Sequence, residues 1–303
     1  LARDHGGPWQ NPREKNLDLN KAMESAKNSY KIDIESGFKI IHIDPSIDIN
    51  KEPSIDEILE RLFELYEYCF QIASSSNKDI LIEVGTEEQT GSANTIEAFE
   101  YTLSKIYNFC NKEKLPKPTF VVAQTGTKVM EMRNIGAFDK PLRVIDEVPP
   151  EIQIPKILDI CNEYKIMLKQ HNTDYLSDEA LFWHPRLGIH SANIAPEFGV
   201  AETKALISIL ENNKLNLISE QILELAYESK KWEKWMLPST KCDDRQKSII
   251  SGHYIFSMNK FKELKTEAAI ELENKNISLD DYLKNEIKSS IYRYMKLFRL
   301  IRK

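Results

Sequence analysis

The sequence predicts an α/β chain, a (β/α) barrel continued by a C-terminal helical extension. Short apolar runs alternate with longer helical patterns at intervals of about 35–45 residues, the rhythm of a parallel sheet covered by helices. That rhythm alone suits a doubly wound sheet and a closed barrel equally. The choice falls to the barrel because polar and ionisable residues follow run after run at the C-terminal end, as when many strands feed one face. No GxGxxG or GxxxxGK[ST] follows any run, which removes the main nucleotide-binding alternatives.

The first residues look like the end of a strand, closed by the turn formers Gly6 and Gly7. Residues 18–36 carry Leu19, Ala22, Met23, Ala26 and Tyr30 at helical spacing, and 55–73 carry Ile55, Ile58, Leu59, Leu62, Phe63 and Tyr66. Residues 95–112 and 154–164 repeat the pattern, the latter with Pro155 near its start. Between these helices, 38–43 (FKIIHI), 80–84 (ILIEV), 120–123 (FVVA), 166–168 (IML) and 189–194 are short, apolar and bounded by polar, Gly or Pro residues. Their nearly continuous apolarity suits strands buried on both faces. Beyond Val200 the strands stop, and 203–210, 219–236, 246–274 and 279–301 read as helices. The expected division is a barrel domain over 1–210 and a helical region over 211–303, with Trp232 and Trp235 on a packing face.

Composition narrows the function. The 303 residues are 41% hydrophobic and 29% charged, with a net charge of −6, which argues against nucleic acid or an anionic membrane as the main partner. Cys69, Cys110, Cys161 and Cys242 lie far apart without a CxxC pair, so neither a thiolate zinc site nor a secreted disulfide framework is expected. The first three sit in amphipathic helical stretches and read as buried free thiols. No apolar run reaches about 18 residues and the first residues form no signal peptide, so a cytoplasmic protein is expected.

The strand ends carry the chemistry. Asp4 and His5 close the first strand, a carboxylate beside an imidazole. His42 and Asp44 close the next; two residues apart, they point to one face. Glu83 lies inside an apolar strand, where a carboxylate needs a cation, a metal or a shifted pKa. Glu87 follows in the loop after it. Gln124 closes the next strand with neutral groups suited to sugar hydroxyls. His171, Asn172 and Asp174 follow the fifth strand, and Asn193 the sixth. Histidines, carboxylates and amides at successive strand ends suit a hard or borderline metal on a barrel's catalytic face.

The order Asp4-His5-Gly6, GFKIIHIDPS over 37–46, Gly85-Thr86-Glu87, Val121-Val122-Ala123-Gln124, HNTDY over 171–175 and Asn193 resembles the class II, metal-dependent ketose-bisphosphate aldolases. It is closest to the tagatose-bisphosphate aldolase non-catalytic subunit family. The resemblance spans about residues 1–210 and implies a TIM barrel whose first two βα units are absent from this chain. It also implies a divalent metal, zinc first, held by His5, Asp44 and His171. Asp4, Glu83 and Glu87 then serve as catalytic carboxylates, and Gln124, Asn172, Asp174 and Asn193 contact substrate. The implied activity is aldol or retro-aldol chemistry, as aldolase or epimerase, on a ketose or ketose phosphate such as tagatose bisphosphate. The other role it implies is an accessory subunit for a catalytic class II aldolase, and an oligomer is expected in either case. Two departures stand out. The catalytic family has a further metal histidine where this chain has Gln124, and Asn172-Thr173-Asp174-Tyr175 replaces its Gly-rich phosphate loop.

Overall fold

The computed structural model describes residues 1–85, 95–137 and 148–301. Its strands are β1 (Ala2–Arg3), β2 (Ile40–Ile43), β3 (Leu81–Val84), β4 (Phe120–Ala123), β5 (Lys128–Met130), β6 (Arg133–Ile135), β7 (Met167–Gln170) and β8 (Ser191–Ala192). The α-helices are α1 (Leu19–Glu35), α2 (Ile55–Ser75), α3 (Ile96–Glu113), α4 (Pro150–Tyr164), α5 (Asp178–Leu187), α6 (Pro196–Asn212), α7 (Asn216–Glu228), α8 (Asp244–Ser251), α9 (Asn259–Glu273) and α10 (Leu279–Leu297). The chain forms two compact units. One comprises Leu1–Gly126, Val144–His171 and Leu187–Ala192, the other Thr127–Arg143, Asn172–Arg186 and Asn193–Lys303.

In the first unit a six-stranded parallel sheet runs in the order β1-β2-β3-β4-β7-β8, with β1 and β8 as its outer strands. Its first three helices begin where side chains satisfy the free backbone amides. Asp18 accepts from the Lys21 N–H, Ser54 and Glu57 form a reciprocal capping box, and Thr95 accepts from the Ala98 N–H. Their apolar stripes, including Tyr30, Leu62, Leu65, Leu103 and Ile106, pack on Ile41, Ile82, Val121 and Leu168 of the strands.

The sheet is curled. Between β1 and β7 lie four strand spacings, about 19 Å in a flat sheet at 4.8 Å each. Yet the rings of His5 after β1 and His171 after β7 are 6.2 Å apart. Lys169 of β7 likewise reaches past β4 to Glu83 of β3. The expected parallel sheet with strand ends converging on one face is therefore present, as a curled six-stranded part of a barrel.

The second unit is mainly helical. Leu206, Leu210, Ile222, Leu264 and Leu272 of α6, α7 and α9 form its larger core. Leu176, Leu181 and Tyr294 form a smaller one. Two features were not anticipated from the sequence: the β5–β6 hairpin, short and flanked by Gly126 and Gly136 at positive φ, and α5. The helix expected over 246–274 is two helices parted by a 3-10 turn at Gly252–Ile255. A Cβ at Gly252 would lie 2.3 Å from the Thr203 side chain, so the turn packs closely on α6. Trp232 stacks on Tyr227 and donates to its carbonyl, the packing role expected of it. Cys69, Cys110 and Cys161 are buried free thiols as anticipated, and burial raises all three, Cys161 to about 12. No helix among the described residues is long and apolar enough to cross a membrane.

Candidate functional site

The C-terminal ends of β1, β2, β3, β4 and β7 converge on a small cavity lined by His5, His42, Asp44, Gly85, Val122, Gln124 and His171. At about 10 Å³ it admits a single water or ion. Local sequence explains how the walls meet. Gly7 lies so close to the end of β2 that a Cβ there would stand 2.2 Å from the Asp44 carbonyl oxygen, while the Asp44 N–H donates to the Gly6 carbonyl at 2.7 Å. These glycines thus join two strand-end loops. His5 itself adopts φ 42, a strained value for a residue with a side chain, held by contacts at both its ends. Its N–H donates to His42 Nδ1 at 3.2 Å, and its Nδ1 lies 3.1 Å from Asp44 Oδ2.

His42 is the centre of the cluster and is 1% exposed. Its Nδ1 takes the His5 N–H and lies 3.3 Å from Glu83 Oε1 and 3.6 Å from Asp4 Oδ1. Its Nε2 is buried without a hydrogen-bond partner. A Cβ at Gly85 would stand 2.6 Å from that nitrogen, so the glycine keeps this side of the ring clear. An orphaned buried ring nitrogen is costly unless something else engages it. His5, His42 and Asp44 offer ligand atoms within 4.8 Å of one another and could hold a metal ion. The orphaned nitrogen, the space Gly85 leaves and the mixed nitrogen and oxygen donors all fit a divalent cation.

The surrounding charges are arranged around this group. Glu83, 3% exposed in its strand, pairs with Lys169 Nζ at 2.6 Å, which supplies the cation its burial demands. Asp4 is the open carboxylate, its side chain 63% exposed. Contact with His42 holds it well below the usual carboxylate range, aided by the positive fields of His5 and Lys169 against the opposing cost of burial. Burial pulls the His5 pKa down, but the Asp44 bond and the charges of Asp4 and Asp44 outweigh it and the net shift is upward. His171 moves the other way, to about 4, through burial and the neighbouring His5 charge. It is a neutral imidazole at pH 7. Gln124 Nε2 stands 2.7 Å from His171 Nδ1; with the amide donating, the ring proton sits on Nε2.

Of the residues singled out by sequence, Asp4, His5, Asp44, Glu83, Gln124 and His171 come together here, although His171 lies outside the group of mutually close ligand atoms. Glu87 falls outside the described residues. Asn172, Asp174 and Asn193 belong to the second unit. There Asn172 exchanges bonds with Thr127, and its carbonyl also accepts from Asn134. The Asn193 carbonyl accepts from the Thr173 N–H. Asp174 Oδ1 accepts the Ala195 and Glu197 N–H groups at 2.9 Å each, capping α6, whose own N-cap residue Ala195 has no side chain for the purpose. Burial pushes Asp174 up to about 7 despite those two bonds, and the Glu197 charge adds to the rise. The sequence places His42 beside Asp44 on the interior face, and the resemblance assigns the metal to His5, Asp44 and His171; His5 and Asp44 stand with His42 in the group of close ligand atoms. Sequence alone assigns Lys169 no role, although a carboxylate within an apolar strand, at Glu83, already calls for a cation.

No protein-family profile matches the chain, and no curated protein sequence does. Solved structures do match. A probable tagatose 6-phosphate kinase from Sinorhizobium meliloti 1021 superposes with a TM-score of 0.76 at 15% identity, over 98% of this chain and 82% of that one. Two structures of the fructuronate–tagaturonate epimerase UxaE from Cohnella laeviribosi superpose with TM-scores of 0.56 and 0.58 at 10% and 9% identity. They cover 93% and 89% of this chain, which spans 66% of their length. At these identities the likeness is one of fold.

Proposed function

We propose that this chain is a divalent-metal-dependent enzyme of carbohydrate metabolism that cleaves or epimerises an unphosphorylated ketose through an aldol-type step. The observation that carries the reading is the orphaned Nε2 of His42 beside His5 and Asp44, in a cavity that Gly85 keeps open. His5, His42 and Asp44 would hold the ion, with zinc the first candidate for such a donor set. When bound, the ion polarises a ketose carbonyl and stabilises the negative charge left as the carbon–carbon bond breaks. Asp4, ionised and open to solvent, accepts the substrate hydroxyl proton in the cleavage direction and returns it in condensation. The neutral His171 donates from Nε2 to a substrate oxygen, held in that tautomer by Gln124. An ion on Nε2 would require the His42 proton on Nδ1, where Glu83 would accept it in place of the His5 N–H contact and orient the ring, as a carboxylate behind a ligating imidazole does.

One observation supports an unphosphorylated substrate. In the segment directly after His171, where the resemblance places a phosphate-binding Gly-rich loop, the Thr173 and Tyr175 amides donate within the protein, to the Asn193 carbonyl and the Glu197 carboxylate. The sugar names of the two structural neighbours are in keeping with a sugar substrate.

Metal analysis and calorimetric titration with Zn²⁺ test the proposal, followed by a screen of free and phosphorylated ketoses and keto-acids. The wild-type chain is expected to retain about one equivalent of divalent metal, with both metal and turnover lost on His42→Ala and Asp44→Ala. A well-folded wild-type protein that binds no divalent metal would sink the enzyme reading. The search would then turn to a catalytic aldolase subunit as partner. Turnover confined to phosphorylated ketoses would remove the substrate assignment alone.

A further inference from the structure

The cavity has two overlapping donor groups. His5, His42 and Asp44 form one; Asp4, His42 and Glu83 form the other, again with ligand atoms within 4.8 Å. Taken by donors alone, both halves could take a cation, and the shared imidazole would bridge a pair of ions. The second half, however, already contains one. Lys169 Nζ lies 2.6 Å from Glu83 Oε1, the same oxygen that lies 3.3 Å from His42 Nδ1. We infer that the Lys169 ammonium is the permanent cation of this acidic half, filling the place a second divalent ion would take, so that the site holds one metal ion and not two. The inference rests on the metal site proposed above.

Three arguments carry it. The first is space and donors. A metal ligated by Glu83 and His42 Nδ1 would sit about 2 Å from each, inside the region that the ammonium occupies beside Oε1. Nδ1 also faces Glu83 Oε1 at 3.3 Å, and with the ring proton turned to that carboxylate the ring offers Nε2 alone to an ion, on the side Gly85 keeps clear. The second is charge. Asp4, Asp44 and Glu83 bring three carboxylates against the single ammonium of Lys169, so one dication balances the cluster and a second leaves it positive. An unbalanced charge is expensive where Glu83 and Lys169 are this buried, at 4% and 14% side-chain exposure. The third is anchorage. Lys169 lies on β7 and Glu83 on β3, so the cation is fixed to the sheet and cannot exchange with solution ions.

The test is metal stoichiometry. Wild-type protein, Lys169→Met and Lys169→Arg are equilibrated with buffered Zn²⁺, and bound zinc per folded chain is counted. Wild type and Lys169→Arg are expected to hold one ion. Lys169→Met is expected to take a second, weaker one, which Glu83→Gln in the same background removes while sparing the first. Folded Lys169→Met that stays at one ion overturns the inference. Electron paramagnetic resonance of wild-type protein in excess Mn²⁺ gives a reading that does not depend on the variants folding. The signal of an isolated ion is expected, and the signal of a spin-coupled pair overturns the inference while leaving the metal site intact. Absence of any ion in the wild-type protein overturns the metal site itself.

Discussion

Two buried polar clusters in this chain look alike by composition and differ in what their groups touch. Around His42 in the first unit, carboxylates and imidazoles crowd together, one residue is held at positive φ, and a ring nitrogen has no partner. Around Asp174 in the second unit, the carboxylates are turned on the protein's own backbone. Asp174 caps α6, while Glu197 takes the Tyr175 N–H and the Tyr294 hydroxyl beside Arg293. The lesson is that buried acids do not mark a binding site by themselves. A donor or acceptor left over after the protein has bonded to itself does.

The comparison can be broken most forcefully at Glu83. Glu83→Ala strands the Lys169 ammonium in the first unit, and is expected to cost about 3–5 kcal/mol in chemical unfolding. The double variant with Lys169→Ala should recover much of that loss, which a double-mutant cycle would read as coupling. If the single and double variants lose the same stability, the pair is not the support described here. Gly85→Ala should act on the ligand instead. Its methyl group fills the space beside His42 Nε2, so Zn²⁺ affinity is expected to fall at least about tenfold, on the order of 1.4 kcal/mol, with the folded content unchanged by circular dichroism.

Asp174 should show the reverse, a change in stability without a change in metal affinity. Asp174→Ala removes the cap of α6 and should cost about 1–2 kcal/mol. The pH dependence has a definite sign. The folded carboxyl titrates near 7, above the 3.8 of an unperturbed Asp, so between those values the folded chain holds a proton that the unfolded chain has released. This contribution is full below about pH 4 and is lost as pH rises through 7, with a slope of up to about 1.4 kcal/mol per pH unit. Asp174→Asn, neutral throughout, should flatten the slope between pH 4 and 7 in urea titrations. An unchanged slope would mean that Asp174 is not its source. Tyr294→Phe should be mildest, about 1 kcal/mol for the hydroxyl lost from Glu197.

Much of the first unit was legible because its signals are local. Residues 120–123 read as a strand from their own apolar run, and Asp18, Ser54 and Thr95 announce helix starts by chemistry that acts within one turn. His42 and Asp44 could be placed on one face from their spacing. The partners of those residues could not. That Glu83 meets Lys169 depends on the curl of the sheet and on β4 lying between their strands. That Gln124 meets His171 depends on β4 and β7 being neighbours, although the β5–β6 hairpin and α4 separate them in sequence. The carboxylate of Asp174 was legible as polar but not as a cap, because α6 starts at Pro196, well before the residue 203 expected from its apolar spacing.

The curl that brings His5 and His171 together has a kinetic consequence. The cavity draws on residues 5, 42, 44, 85, 122, 124 and 171, so its walls meet only after successive strands have closed loops of about forty residues each. A chain folded only as far as β4 would have His5, His42 and Gln124 but not His171. A ligand that needs the whole cavity therefore selects the finished sheet over any partial one, and its binding energy should act mainly by slowing unfolding.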